Sequence, residues 1–500
     1  MTTYLRTALI LAGFMVSCLT RGGDAQIIGT VDTSKWRGFN LLEKYNMNRN
    51  TPFNEDDFKW IAELGFNYVR LPMDYRCYVE KGDWLKFKED TLKEVDQAIE
   101  LGKKYHIHVT VNLHRAPGFC INPPEEPSNL WTNEHTLSVF VDHWVMFAKR
   151  YRQVPPEHLS FNLLNEPTHT SRENFLKVFC RTIEAIQKED PRRLIIVDGL
   201  NVGKEPLPEF LKYDNVIQAT RGYHPGTISH YKASWVKGSE QWPEPVWPSV
   251  KLIGNLYGPV KPDLKSPLTI QGAFKAGTEI SLKFFQISQK NKLMARADGK
   301  TVAEKVVDPK ASPEDWKRVD TEKRYVLMQP TRDLFFTVSL PTDCREFTLE
   351  NVEGDWLKFS ELTIRLPGGS KRTYGTDMSY GKKQVPLSLE ADGRLSPPPG
   401  VPADAPLKDY LKPWLEIAAR GETVFVGEWG CHNRTPHPVA LAWMKSWLDN
   451  WKEARFGWAL WNFRGSFGIL DSGRTDVVYE DWHGHKLDRE MLTLLQQYQK

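Results

Sequence analysis

The sequence predicts an α/β fold in which a closed barrel of eight parallel strands is interrupted, between strands six and seven, by an inserted all-β, sandwich-like domain. Three observations predict it. Short β-rich runs alternate with amphipathic helical stretches in two blocks of the chain. Such runs total eight, the number that closes a (β/α)₈ TIM barrel, and the long crossovers between them suit parallel strands. Between the blocks, from about Lys251 to Ala403, helical periodicity disappears and short alternating runs are separated by Gly, Pro and Asp.

The elements follow in chain order. MTTYLRTALILAGFMVSC carries one basic residue, Arg6, and then an apolar run from Ala8 to Val16 that is too short to span a membrane. Gly23-Asp24-Ala25 offers small residues for cleavage, so residues 1–25 are expected to be a signal peptide and the mature protein to be exported, extracellular or periplasmic. Lipid attachment at Cys18, in Met15-Val16-Ser17-Cys18, stays open as a second reading. The first part of the barrel is expected over residues 26–248, with strands at 36–41, 67–71, 107–114, 159–165, 194–198 and 216–223. Helices at 55–64, 92–105, 137–151 and 172–188 lie between them. The inserted domain is expected over 249–404, bordered by PEPVWP and SPPPGVPADAP, with strands at 268–274, 279–285, 325–328, 334–339 and 361–366. The barrel resumes over 405–500, with strands at 423–428 and 457–462 around a helix at 438–453.

Composition excludes some function classes. A net charge of +3 without a Lys/Arg block gives no reason to expect nucleic acid as a partner, and no segment after the leader could span a bilayer. With 18 Trp, 17 Tyr and 24 Phe, the chain is rich in flat apolar faces that suit stacking on sugar rings, although large barrels also place Trp in their cores. The five cysteines beyond the leader show no CxxC spacing, so zinc is not expected. Cys77 and Cys120 both follow predicted strands, and a bridge between them is an expectation. His106-Ile107-His108 is an HxH pair at the start of strand three, away from the strand ends, and is read as packing rather than metal ligation. No cofactor is expected.

In LSFNLLNEPTHT, an apolar strand stops on Asn165, Glu166 and Pro167. Taken alone, the triplet is most simply a turn. Its company changes the reading, because side chains at the C-terminal ends of barrel strands converge on one mouth. Strand two ends near Arg70, strand three in Asn112-Leu113-His114-Arg115, strand four in Asn165-Glu166, strand six in Arg221-Gly222-Tyr223, strand seven in Gly427-Glu428-Trp429 and strand eight in Trp461-Asn462. Any one of these fits a surface cation or a helix cap; two carboxylates with arginines, a histidine and aromatics at one mouth fit a site better.

NLHRAPG, FNLLNEP, VFVGEWG and ALWNF resemble the glycoside hydrolase family 5 cellulases and their relatives, retaining glycosidases on (β/α)₈ barrels. The resemblance covers roughly residues 30–248 and 405–490 and says nothing of the insert. It implies cleavage of a β-glycosidic bond, in a β-glucan or mannan, by double displacement. Glu166 would be the acid/base and Glu428 the nucleophile, with Arg70 and Tyr223 holding Glu428 as an anion. Asn165 would bind the sugar 2-hydroxyl, His114 a neighbouring hydroxyl, and Trp461 would floor the reacting ring, with a strained cis peptide to Asn462. Trp131 and Trp429 are further candidates for sugar contact. One departure stands out: the family's His-x-Tyr reads Arg221-Gly222-Tyr223 here, so Arg221 takes the histidine's place unless His224 or His230 substitutes in space. The implied partner is a polysaccharide or oligosaccharide, acted on by a monomer. A glycan-binding barrel without catalysis is the alternative, and it has no need of two opposed carboxylates. Trp316 and Trp356 of the insert are candidates for carbohydrate contact or equally for its core, and the insert is placed where it could wall one side of the cleft.

Overall fold

The computed structural model describes residues 27–28, 31–248, 250, 252–320, 326–369, 371–398, 402 and 404–499. The expected leader and Cys18 lie outside the described residues. Eight parallel strands close into a barrel in chain order: β1 (Arg37–Asn40), β2 (Tyr68–Asp74), β3 (His108–Arg115), β4 (Leu159–Asn162), β5 (Leu194–Asp198), β6 (Val216–Gly222), β7 (Val424–Trp429) and β8 (Gly457–Leu460), which pairs back with β1. Every residue of these strands is buried, as befits strands covered on both faces. The far end of the barrel is closed by Trp36, Tyr68 and Phe425, with His108 stacked 4.2 Å from Trp36. His108 also bonds the Glu157 carbonyl and the Ser160 hydroxyl, so half of the HxH pair is a packing residue.

Helices α1 (Glu55–Glu63), α2 (Glu89–Lys104), α3 (Glu134–Tyr151), α4 (Arg172–Glu189), α5 (Ala405–Ala418), α6 (His437–Ala454) and α7 (Arg489–Gln496) accompany the strands. Both α2 and α3 begin three residues before their apolar stripes, because the first turn is acidic and polar. Glu89, Asp90 and Glu134 face the positive helix end, and the Asn133 side chain caps α3 by accepting from the Thr136 N–H. Helix α5 is obscured in the sequence by Pro406 in its first turn and Pro413 inside it, yet Leu407, Leu411, Trp414 and Ile417 bury one face. Among the described residues, no helix is long and apolar enough to cross a membrane.

Between β6 and β7 the chain builds two β-sheets that share a core separate from that of the barrel and its helices. One sheet centres on Glu279–Ile287 and Trp356–Arg365; the other on Asn291–Ala297, Cys344–Glu353 and Leu268–Phe274. Among the described strands pairing is mostly antiparallel, and Leu268–Phe274 meets Leu387–Leu389 in parallel. Trp316 is buried against Phe284 in the shared core, so it is not a surface platform; Trp356 is half-buried, with Lys358 over its ring.

The expected Cys77–Cys120 bridge is absent, since all five described cysteines are free. Cys77 Sγ is directed to the Lys44 carbonyl and Cys120 Sγ to that of His114, so the two thiols serve different loops.

Candidate active site

The C-terminal ends of the barrel strands open into a cleft of about 820 Å³. Of the residues predicted for a site, His114, Glu166, Arg221, Tyr223, Glu428 and Trp461 line it. Arg70 and Asn165 lie just beneath and connect to it by hydrogen bonds. No described residue of 249–404 lines the cleft; past the insert, the first described side chain to reach it is Tyr410 of α5.

Arg70, at the middle of β2, is the hub of the buried layer. Its guanidinium donates to Glu428 Oε1 at 2.6 Å, Asn40 Oδ1 at 2.9 Å, Asn162 Oδ1 at 2.8 Å and Asn165 Oδ1 at 2.9 Å. Such a fork can be buried only because every arm finds an acceptor. The Tyr223 hydroxyl donates to the other Glu428 oxygen at 3.3 Å. Glu428 therefore accepts from a cation and a phenol.

Glu166 sits differently. Its backbone is in the left-handed region, with φ 48°, an uncommon conformation for a residue with a side chain. Its N–H donates to Asp198 Oδ2 at 2.9 Å, and its Oε1 accepts from Arg221 Nε at 3.3 Å. Burial pushes the Glu166 carboxyl up to about 7, and the negative charge of Glu428 pushes in the same direction against the pull of Arg221. Two carboxyl groups in unlike surroundings thus face one cleft.

Arg221 stands between them. A bulge in the β6–β7 pairing sets Thr220 opposite Val426 but Arg221 opposite Glu428, so Arg221 is re-aimed at the mouth. Its Nη2 reaches within 3.7 Å of Glu428 Oε1, donates to Asn165 Oδ1 at 2.9 Å and pairs closely with Asp198. Two glycines make room. A Cβ on Gly427 would lie 3.0 Å from Arg221 Nη1, and one on Gly222 would meet Trp429 and Trp451 at 2.6 Å. Neither His224 nor His230 hydrogen-bonds Glu166 or Glu428. His224 stacks on Tyr410, and His230 bonds Ser229 and meets the edge of Tyr223.

His114 is held neutral, well below the usual histidine range, by burial and by Arg70, Arg221 and Arg115. Asn122 Nδ2 donates to its Nε2 at 3.2 Å, which puts the ring proton on Nδ1, an atom with no partner. Asn165 Nδ2 is likewise unpartnered, although both arginines occupy its Oδ1. Trp461 and Tyr45 flank His114, with ring centroids 5.6 and 4.6 Å from it.

Three expectations fail. The Trp461–Asn462 peptide is not cis; the three cis bonds among the described residues all precede proline. Trp429 is fully buried against Trp451 and Trp458, because it alternates with Glu428 and so faces the helices. Trp131 is buried on Phe119, Phe175 and Phe179, away from the cleft lining. Sequence reasoning missed Asp198, whose signal was available: the run LIIVD ends strand five on an acid, as other strands end on site residues. It also missed Asn40 at the end of strand one and the exposed Trp235 at the cleft rim.

Residues 28–243 match the family model described as cellulase (glycosyl hydrolase family 5), a span that includes Glu166 and stops short of Glu428. The chain is 32% identical over 191 residues to Endoglucanase C of Acetivibrio thermocellus, covering 37% of this chain and 54% of that protein. It is 30% identical over 187 residues to Cellodextrinase A of Ruminococcus flavefaciens, covering 36% of this chain and 54% of the relative. The chain thus spans about half the length of these curated relatives. A solved structure described as a glycoside hydrolase aligns with TM-score 0.59 and 27% identity, over 93% of this chain and 99% of that one. Cel5A of Thermotoga maritima aligns with TM-score 0.51 at 16% identity, over 93% and 97%, a likeness of fold.

Proposed function

We propose that this chain is a glycosyl hydrolase of family 5, the family whose model matches residues 28–243, and that it cleaves β-glycosidic bonds of a polysaccharide or oligosaccharide by double displacement, with a β-glucan or mannan as substrate. One observation carries the reading: Glu166 and Glu428 share the Arg221 guanidinium, at 3.3 and 3.7 Å, yet Glu428 is held by Arg70 and Tyr223 while Glu166 is pushed up to about 7 by burial. A binder gains nothing from that difference. Retention needs carboxyls about 5–5.5 Å apart, and both carboxyls reach the same guanidinium, Glu166 through Nε and Glu428 through Nη2.

In the first step, a Glu428 oxygen forms a bond to the anomeric carbon as the glycosidic bond breaks, and Glu166 gives its proton to the departing oxygen. In the second, Glu166, now a carboxylate, takes a proton from water, whose oxygen displaces Glu428 from the anomeric carbon. Arg70 and Tyr223 hold Glu428 with one oxygen fixed each. Asn165 Nδ2 and the His114 Nδ1 proton supply the two unmatched donors for sugar hydroxyls, and Trp461 offers the ring floor. On the leader read in residues 1–25, the enzyme works after export, as a monomer.

Product analysis on a panel of β-glucans, mannans and aryl β-glycosides tests the proposal. Proton NMR of the earliest product should show the β-anomer. An α-anomer would overturn double displacement, and glycan affinity without release from any member of the panel would favour the binding protein.

A further inference from the structure

Asp198 has no place in the roles assigned above, yet it is fully buried at the end of β5 and every contact it makes is with a donor. Asn162 Nδ2 donates to its Oδ1 at 3.0 Å, the Glu166 N–H donates to its Oδ2 at 2.9 Å, and Arg221 pairs with Oδ2 as well. A carboxyl surrounded only by donors is an ionised one. The charged groups facing Glu166 are then Arg70 from β2, Asp198 from β5, Arg221 from β6 and Glu428 from β7. Tyr223, just past β6, also faces it, and so do Tyr45 after β1 and Tyr410 of α5; burial pushes the latter two phenols up to about 12, so they stay neutral. Two guanidiniums and two carboxylates cancel, so the cluster is neutral only while Glu166 keeps its proton.

We propose that Asp198 and Arg221 form a positioning pair for Glu166, in which the Asp198 carboxylate anchors the left-handed Glu166 peptide and supplies the negative charge that lets the acid stay protonated between two arginines. The pair answers the sequence departure at Arg221. An arginine cannot exchange protons near neutral pH, and next to the acid it would strip the proton from Glu166 unless a buried anion offset it. Glu428 is one such anion, and Asp198, paired directly with Arg221, is the second. Arg221 in turn orients the acid through its Nε while its Nη2 holds Asp198. The coupling is reciprocal, because a neutral residue at 198 frees the arginine's charge to act on Glu166, whereas loss of the arginine leaves Asp198 and Glu428 to disfavour a third negative charge.

The inference rests on the proposed role of Glu166, and a titration read without turnover separates the two. The full chain, labelled with ¹³C at the glutamate carboxyls, is followed by NMR in wild type, Asp198→Asn, Asp198→Glu and Arg221→Gln, with Glu166 assigned by Glu166→Gln. Asp198→Asn should lower the titration midpoint of Glu166 by about 1–3 pH units, Arg221→Gln should raise it, and Asp198→Glu should recover most of the wild-type value. With an aryl β-cellobioside, the alkaline limb of kcat/KM should move with each midpoint. A midpoint unchanged in Asp198→Asn, or shifted the same way in Asp198→Asn and Arg221→Gln, overturns the pair. Should Asp198→Asn not fold, the upward shift in Arg221→Gln decides, and its absence overturns the proposal. Opposite shifts in a protein that turns over no glycoside support the pair and refute the enzymatic reading instead.

Discussion

In the barrel, every strand residue is buried, and the strands nevertheless carry Arg70, Asn162, Asp198, Arg221 and Glu428. In the inserted sheets, strands such as Glu279–Ile287 and Asn291–Ala297 alternate buried with partly exposed residues, and charges such as Lys283 and Arg296 find their partners Asp333 and Glu350 at the surface. The difference follows from closure. An open sheet can turn its polar side chains to water, whereas a closed parallel barrel must satisfy them among themselves. The barrel mouth is therefore a network in which each charge fixes its neighbours, and the insert is a core whose ion pairs are individually worth little.

Variants at the two places should separate function from stability. Glu428→Ala should break the network at its reacting end and lower kcat by a factor on the order of 10⁵–10⁶, measured on an aryl β-glycoside, with folding judged by circular dichroism. Glu166→Ala should cost about 10²–10⁴ in kcat on polysaccharide and far less on an aryl glycoside with an acidic leaving group, which needs little protonation. Equal losses on both substrates would remove Glu166 from the acid role. In the insert, Leu282→Ala should destabilise by about 2–5 kcal/mol in denaturant unfolding while leaving kcat unchanged, since Leu282 is fully buried in a core that supplies no cleft residue. A matching fall in kcat would show that the two regions are coupled.

Smaller effects sharpen the contrast further. The carboxyl of Glu166 is pushed up to about 7 by burial and must be protonated to act, so kcat/KM should fall as pH rises through that value. A limb near the ordinary carboxylate range would mean that the network does not raise it. Smallest is the effect of reductant. The Cys77 thiol is pushed up to about 12 by burial and neither it nor Cys120 is bridged, so dithiothreitol should leave Tm unchanged.

The limits of sequence reading fall along the same division. Apolar runs and helical stripes placed all eight barrel strands, because buried parallel strands and amphipathic helices each carry a local period. They placed the starts of α2 and α3 late, since capping turns such as Asn133 to Thr136 carry no stripe, whereas α1 and α4 begin where expected, at Glu55 and Arg172. In the insert, the alternation of Glu279–Ile287 was plain, whereas the parallel pairing of Leu268–Phe274 with Leu387–Leu389 joins segments more than a hundred residues apart and leaves no local trace.

By itself the sequence determined the fold class, the insertion after the sixth strand and the residue types that meet at the mouth, because a strand's period dictates which face each side chain takes and its end dictates where that side chain opens. Only the tertiary structure decided how those residues are wired. Arg70 and Glu428 are 358 positions apart, and it is barrel closure that brings them to 2.6 Å. A single bulge sets Arg221 across from Glu428, and the neighbouring end of β5 delivers Asp198 to it. Contacts of this kind depend on register, which a shift of one residue reverses and which no local pattern records.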